Sequence, residues 1–152
     1  MQKYHLRCPA KVLRQFVAKI KNTSYNDILF DNMQEISESE QYELEDLIKR
    51  YEFQEPVSKI LNRRYFWNYE FFVNEFVLDP RPETEIIVKQ SLLIFEKQQH
   101  FSFLDIGTGS GCILLSIASE FPNADGIGID YSEAAIEVAK TNQRRLNISN
   151  VV

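Results

Sequence analysis

Asp105-Ile106-Gly107-Thr108-Gly109-Ser110-Gly111 stands where a short apolar run, Phe101 to Ile106, gives way to a helical one, Cys112 to Phe121. Three alternating glycines at that junction let the backbone turn sharply and let a ligand lie against it without meeting side chains. The helix that follows offers free N–H groups and the positive end of its dipole to the same ligand. Downstream, Pro122 and Asn123 close the helix, and Gly126-Ile127-Gly128-Ile129-Asp130 is a second buried strand. Ser132 is placed to cap a further helix from Glu133 to about Leu146. Strand, helix and strand with tight turns between them form a βαβ unit, which implies a parallel pair and a right-handed crossover.

The glycines do not fit the dinucleotide spacing G-x-G-x-x-G, because the third glycine would fall on Cys112 or on Leu114. Instead an acid precedes them, giving D-x-G-x-G-x-G. A carboxylate at Asp105 suits a cationic ligand group, such as the α-ammonium of an amino acid, better than a pyrophosphate. Asp130 ends the next strand at about the distance expected of a ribose-binding acid, and its two oxygens can accept both ribose hydroxyls. Tyr131 is placed to pack against an adenine. An amino-acid end, a ribose and an adenine together describe S-adenosylmethionine (SAM). An NAD or flavin site is the other cofactor reading. A purely structural alternative makes Asp105 a turn cap and Asp130 a helix cap. Cys112, in the first turn of the helix, reads as a small core residue, and His5 and His100 have no partner pattern.

Upstream the texture is different. Val12, Leu13, Phe16, Val17 and Ile20 share one helical face. Ser37 and Glu40 form a capping box ahead of a stripe made by Leu44, Leu47, Ile48 and Tyr51. Pro56 suits the first turn of a short helix, Val57 to Leu61. Residues 1 to 62 therefore read as a small all-helical domain. Tyr65 to Val73 is aromatic and β-branched with a turn signal at Asn68, which predicts a hairpin; residues 63 to 80 are expected to act as a linker. Helical spacing then returns from Glu83 to Phe95, and residues 81 to 152 carry the βαβ unit.

Charge is unevenly distributed within a net of −5. Lys3, Arg7, Lys11, Arg14, Lys19 and Lys21 are unopposed by any acid up to residue 21, whereas residues 27 to 55 hold ten acids against Lys49 and Arg50. The basic run reads as the solvated face of a helix; an arm for RNA or for an acidic partner is the sharper alternative. No apolar run approaches the roughly 18 residues of a membrane helix, and no signal peptide is apparent. Two distant cysteines, Cys8 and Cys112, make neither a disulfide framework nor a zinc pattern. The expectation is a cytoplasmic protein with no metal and no membrane partner.

Four segments, in order and spacing, resemble the release-factor glutamine methyltransferase family: Glu55-Pro56-Val57, Arg63-Arg64-Tyr65-Phe66-Trp67, Pro80-Arg81-Pro82-Glu83-Thr84-Glu85, and Leu104 through Ile113. The resemblance runs from about Val12 to the end of the chain. It implies a helical N-terminal domain for substrate recognition, a β-hairpin linker and a Rossmann-like SAM-dependent domain, an α/β fold. It implies methyl transfer from SAM to the side-chain amide of a glutamine in a peptide chain release factor. By position it assigns cofactor contacts to Gly107, Thr108, Gly109, Ser110, Gly111 and Asp130, and places Arg81, Glu83 and Thr84 close to the pocket.

The family's amide-orienting Asn-Pro-Pro-Tyr lies well downstream of the glycines, and the 152 residues contain no Asn-Pro dipeptide. No catalytic residue is therefore assigned, and the chain is expected to be inactive alone: the first part of a methyltransferase, truncated or completed by a separate C-terminal half. A non-catalytic partner-binding module, a decayed gene product and an unrelated nucleotide-binding fragment are the alternatives. Asn62 stands where the family commonly has glycine, and Asp79 where an apolar residue is commoner. An incomplete sheet is expected to leave one edge of strand Phe101–Ile106 unpaired and to uncover Ile113, Leu114 and Ile117.

Overall fold

The computed structural model describes residues 7–30 and 35–152; His5 and Lys3, the start of the basic run, lie outside them. The chain divides into two compact units between Leu61 and Asn62.

The first unit is helical. It contains α1 (Ala10–Ile20), α2 (Tyr25–Phe30), α3 (Glu38–Glu52) and α4 (Val57–Leu61). The apolar face foreseen for α1 buries Leu13, Phe16 and Val17 against Leu44, Ile48 and Ile60. The capping box forms as expected: Ser37 Oγ accepts from Glu40 N, and Glu40 Oε2 accepts from Ser37 N. The two charge blocks meet within this unit. Arg7 bridges Glu45 and Glu52, and Lys21 Nζ pairs with Glu40 at 2.9 Å. Part of the basic run therefore neutralises the acids of α3. Helix α2 has no counterpart in the sequence reading. Its start is organised by Asp27, whose carboxylate accepts from the Ser24 backbone and from the Ser24 and Thr23 hydroxyls.

The second unit opens with the hairpin, β1 (Arg63–Phe66) and β2 (Tyr69–Phe72), paired antiparallel with Phe66 opposite Tyr69. Asn62 and Trp67 both take positive φ, 54° and 55°. Asparagine tolerates that region better than most residues, so Asn62 serves where glycine is the usual choice. The hairpin is packed into the unit rather than strung between two domains. Phe66 and Phe71 are in the core with Phe121 and Leu115, and Trp67 Nε1 donates to Glu120 Oε1 at 2.8 Å.

A single 3-10 turn, Pro82–Thr84, leads into α5 (Glu85–Ile94), so the α-helix starts two residues later than its spacing suggested. The βαβ unit follows: β3 (Ser102–Ile106), α6 (Cys112–Glu120), β4 (Asp125–Ile129) and α7 (Glu133–Leu146). Strands β3 and β4 are parallel, with Ile106 opposite Ile129. Gly126 also bridges to Val151 in parallel, so β4 has a neighbour on each side, whereas β3 has β4 alone among the described residues.

The expected loss of cover on α6 does not occur. Leu114 is 4% exposed and Ile117 8%; Ile113 is half-buried. Helix α6 lies on the sheet face that carries Phe103, Gly126 and Gly128. A Cβ on Gly126 would come within 2.7 Å of Phe103 Cζ, and one on Gly128 within 2.7 Å of Leu114 Cδ2. The missing side chains are what let the helix sit so close. The bare surface is the opposite sheet face, where Leu104, Ile106, Ile127 and Ile129 are 45 to 75% exposed.

Candidate functional site

The glycine loop lies at the C-terminal ends of two parallel strands, where α/β sheets place their ligands. Gly107, Gly109 and Gly111 all adopt positive φ, 77°, 54° and 77°. The loop is fastened to the end of β4 because Gly107 N and Thr108 N both donate to Ile129 O, at 2.8 and 2.9 Å. Gly111 N closes the turn on Thr108 O at 2.8 Å. The space where a Cβ would stand on Gly107 is open to 4 Å, whereas one on Gly111 would press on Leu115 at 3.1 Å and Ala139 at 3.3 Å. Gly107 therefore leaves room on the open side of the loop, and Gly111 permits the close approach of α7.

Two carboxylates hold the loop's shape. Asp105 Oδ2 accepts the Thr108 hydroxyl at 2.8 Å. Asp130 Oδ2 accepts Gly109 N, and its Oδ1 accepts Ser132 N, both at 2.9 Å. These bonds, that from Ser132 first, hold the Asp130 carboxyl below the usual carboxylate range, so it is anionic at neutral pH. The Tyr131 backbone N–H adds to these two donors, and with two acceptor sites on each oxygen the carboxylate can accept a further hydroxyl. Thr108 and Ser110 are buried; the Tyr131 ring is fully exposed.

Asp105, Thr108, Gly109 and Asp130 are thus joined in one cluster. Arg81, Glu83 and Thr84 stand between the hairpin and the start of α5. Their segment is fixed to the hairpin, where Arg64 Nε donates to Pro80 O and Trp67 N donates to Glu85 Oε1. Arg81 and Glu83 are exposed and Thr84 is half-buried. No hydrogen bond among the described residues links these three to the glycine loop. The Cys112 thiol is pushed up to about 11, chiefly by burial, which fits a core residue and not a nucleophile.

Sequence reasoning missed Asn142. It is completely buried and bonds to both Phe72 and Ser110. The signal was present: Ala135, Val138, Ala139 and Asn142 form the buried stripe of α7, and a polar residue on such a stripe must find partners. Asn150 was missed too; its side-chain amide donates to the carbonyls of Ala118, Phe121 and Ala124, from the last turn of α6 to the start of β4.

A parallel βαβ unit with this loop and an acid on the second strand has the architecture of the Rossmann-like methyltransferases. Residues 97–152 match the family model described as a methyltransferase domain. More particularly, the chain resembles the release factor glutamine methyltransferases. It is 40% identical to that of Caulobacter vibrioides over 92% of this chain and 47% of the relative. It is 37% identical to that of Rhodospirillum rubrum over 92% of this chain and 43% of the relative. A bifunctional methyltransferase of Rickettsia prowazekii is 31% identical over 99% of this chain and 32% of its own length. The chain spans about half the length, or less, of these curated relatives. Among solved structures, a coclaurine N-methyltransferase bound to N-methylheliamine and SAH aligns with 91% of this chain and 45% of its own, at 17% identity and a TM-score of 0.40. No helix among the described residues is long and apolar enough to cross a membrane.

Proposed function

We propose that the second unit binds S-adenosylmethionine and that the chain serves methyl transfer to a glutamine side-chain amide of a peptide chain release factor in the cytoplasm. The observation that carries this reading is the anionic Asp130, held at the end of β4 against the Gly109 N–H. An acid fixed there accepts the ribose hydroxyls of a ligand lying along the glycine loop. Asp105 supplies negative charge for the α-ammonium end, and the exposed Tyr131 ring offers a face to adenine. The glycines line the approach, and Arg81, Glu83 and Thr84 are proposed for the pocket's rim. The helical unit is proposed to recognise the release factor.

An amide nitrogen is a poor nucleophile because its lone pair is delocalised, so the amide must be held in line with the sulfonium methyl. None of the residues named above is assigned that role. On this reading the 152 residues bind the donor without transferring its methyl. The relatives' additional length supports the view that the rest of the pocket lies outside the matched half.

Calorimetry with S-adenosylhomocysteine tests the donor site. Weak but saturable binding that Asp130→Ala abolishes is expected; binding of NADH in its place would favour the dinucleotide reading. Labelled SAM and unmodified release factor should give no incorporation with this chain, and single-site glutamine labelling would contradict the division of labour.

A further inference from the structure

Asn142 makes three hydrogen bonds from inside the second unit. Its Oδ1 accepts from Phe72 N at 2.7 Å; its Nδ2 donates to Phe72 O and to Ser110 O, each at 2.9 Å. The side-chain amide meets Phe72 as a neighbouring strand would, satisfying both backbone groups of one residue. Its second N–H goes to the glycine loop.

That second bond acts on a rigid plane. The Ser110–Gly111 peptide is planar and trans, so its C=O and N–H point in opposite directions. Asn142 holds the C=O, and Thr108 O holds the Gly111 N–H at 2.8 Å. The plane is thereby fixed from both sides, with Gly111 at φ 77°. Asp105 and Asp130 fix other parts of the loop, but Asn142 alone among the three also grips β2. From Phe72 the chain runs on to Pro80–Glu85, the segment tied to the hairpin by Arg64 and Trp67.

We propose that Asn142 is a positioning residue: it sets the Ser110–Gly111 peptide plane and couples the glycine loop to the strand leading into Pro80–Glu85, so that donor occupancy and the order of β2 are linked. The functional side of this coupling rests on the donor-binding reading of the loop; the structural side does not.

The test uses the whole chain and Asn142→Asp, which keeps the shape and the acceptor for Phe72 N–H but turns an oxygen toward two carbonyls. Hydrogen exchange at Phe72 and Gly111 is expected to accelerate roughly tenfold or more, since buried carbonyls lose their donor, while Ile117 and Ile127 in the same unit change little. Affinity for S-adenosylhomocysteine should fall by a similar factor. Both losses should shrink as pH drops, because burial raises the new carboxyl's pKa and its protonated form can donate once more; Asn142→Leu should show no such recovery. Equal acceleration at Ile117 and Ile127 would reduce Asn142 to a stability role and overturn the proposal. So would wild-type exchange at Gly111 in the variant. If the variant does not fold, the unmodified chain still decides: S-adenosylhomocysteine should slow exchange at Phe72 as well as at Gly111, and an unchanged Phe72 would refute the coupling. Failure of the unmodified chain to bind this ligand would sink the donor reading, and the exchange pattern of the variant would then judge the peptide-plane role alone.

Discussion

Gly107 and Gly111 have the same φ, 77°, yet replacing each with alanine should have different consequences. At Gly107 nothing lies within 4 Å of the added Cβ, so the cost is conformational only. An L-residue in the left-handed region loses about 1–2 kcal/mol. At Gly111 the same strain applies, and the Cβ also meets Leu115 Cδ1 at 3.1 Å and Ala139 Cβ at 3.3 Å. Overpacking of that kind adds about 1–3 kcal/mol, so Gly111→Ala should cost about 2–5 kcal/mol in all. With a urea slope of about 1.5 kcal/mol per molar for a unit of this size, the midpoint should fall by roughly 1 M for Gly107→Ala and by roughly 2 M or more for Gly111→Ala. Trp67 is the single tryptophan and packs against the core of the second unit, so its fluorescence follows that unit without interference from the helical one. Ligand binding should rank the other way per unit of stability lost, because the Gly107 methyl enters the open side of the loop. Equal midpoint shifts, or a larger one for Gly107→Ala, would show that the approach of α7 to Gly111 does not govern the loop.

Glu40 is held down to about 2, first by the Lys21 ammonium and then by the Ser37 donors. A carboxyl lowered on folding contributes stability that is complete above its unfolded value and is lost as pH falls through the folded one. The helical unit should therefore weaken from about pH 4.5 down to about 2, and Glu40→Gln should flatten that slope in an acid titration followed by circular dichroism. The Cys112 thiol, pushed up to about 11 and 9% exposed, should react with a disulfide reagent at pH 8 far more slowly in the folded chain than in urea; equal rates would show that the start of α6 opens freely.

The parts legible in the sequence are those where a local pattern and a tertiary need coincide. The capping box at Ser37 and Glu40, the stripe of α1 and the turn at Asn68 each determine their own geometry within a few residues. Helix α2 was missed because its six residues carry no repeated apolar face; it buries only Ile28, and the Ser24–Asp27 cap is too weak a signal by itself. The helical spacing from Glu83 places the start of α5 two residues early because it does not distinguish a 3-10 turn from a first α-helical one. The cover on α6 was misjudged for a different reason. Periodicity identified its apolar residues but not which sheet face they meet, and only Gly126 and Gly128, read as clearance for a helix, distinguish the two faces.

The candidate site divides along the same line. That Asp105, the glycines and Asp130 come together was legible because each stands within a few residues of a strand end in one βαβ unit. What keeps the loop in shape was not, because its partners are distant in sequence. Asp130 reaches Gly109 across 21 positions, and Asn142 reaches Ser110 across 32 and Phe72 across 70. A loop built on three left-handed glycines has lost the steric restraint that side chains impose on φ and ψ. Unaided, it would give up conformational entropy every time it bound a ligand. The hydrogen bonds from Ile129, Asp105, Asp130 and Asn142 act on the free chain, so that ordering is completed on folding and is not charged against the ligand. On the donor-binding proposal the glycines make room for the ligand, and the hydrogen bonds from Asp105, Asp130 and the buried Asn142 keep that room in one shape; a substitution at Asn142 should therefore change affinity without touching any surface the ligand meets.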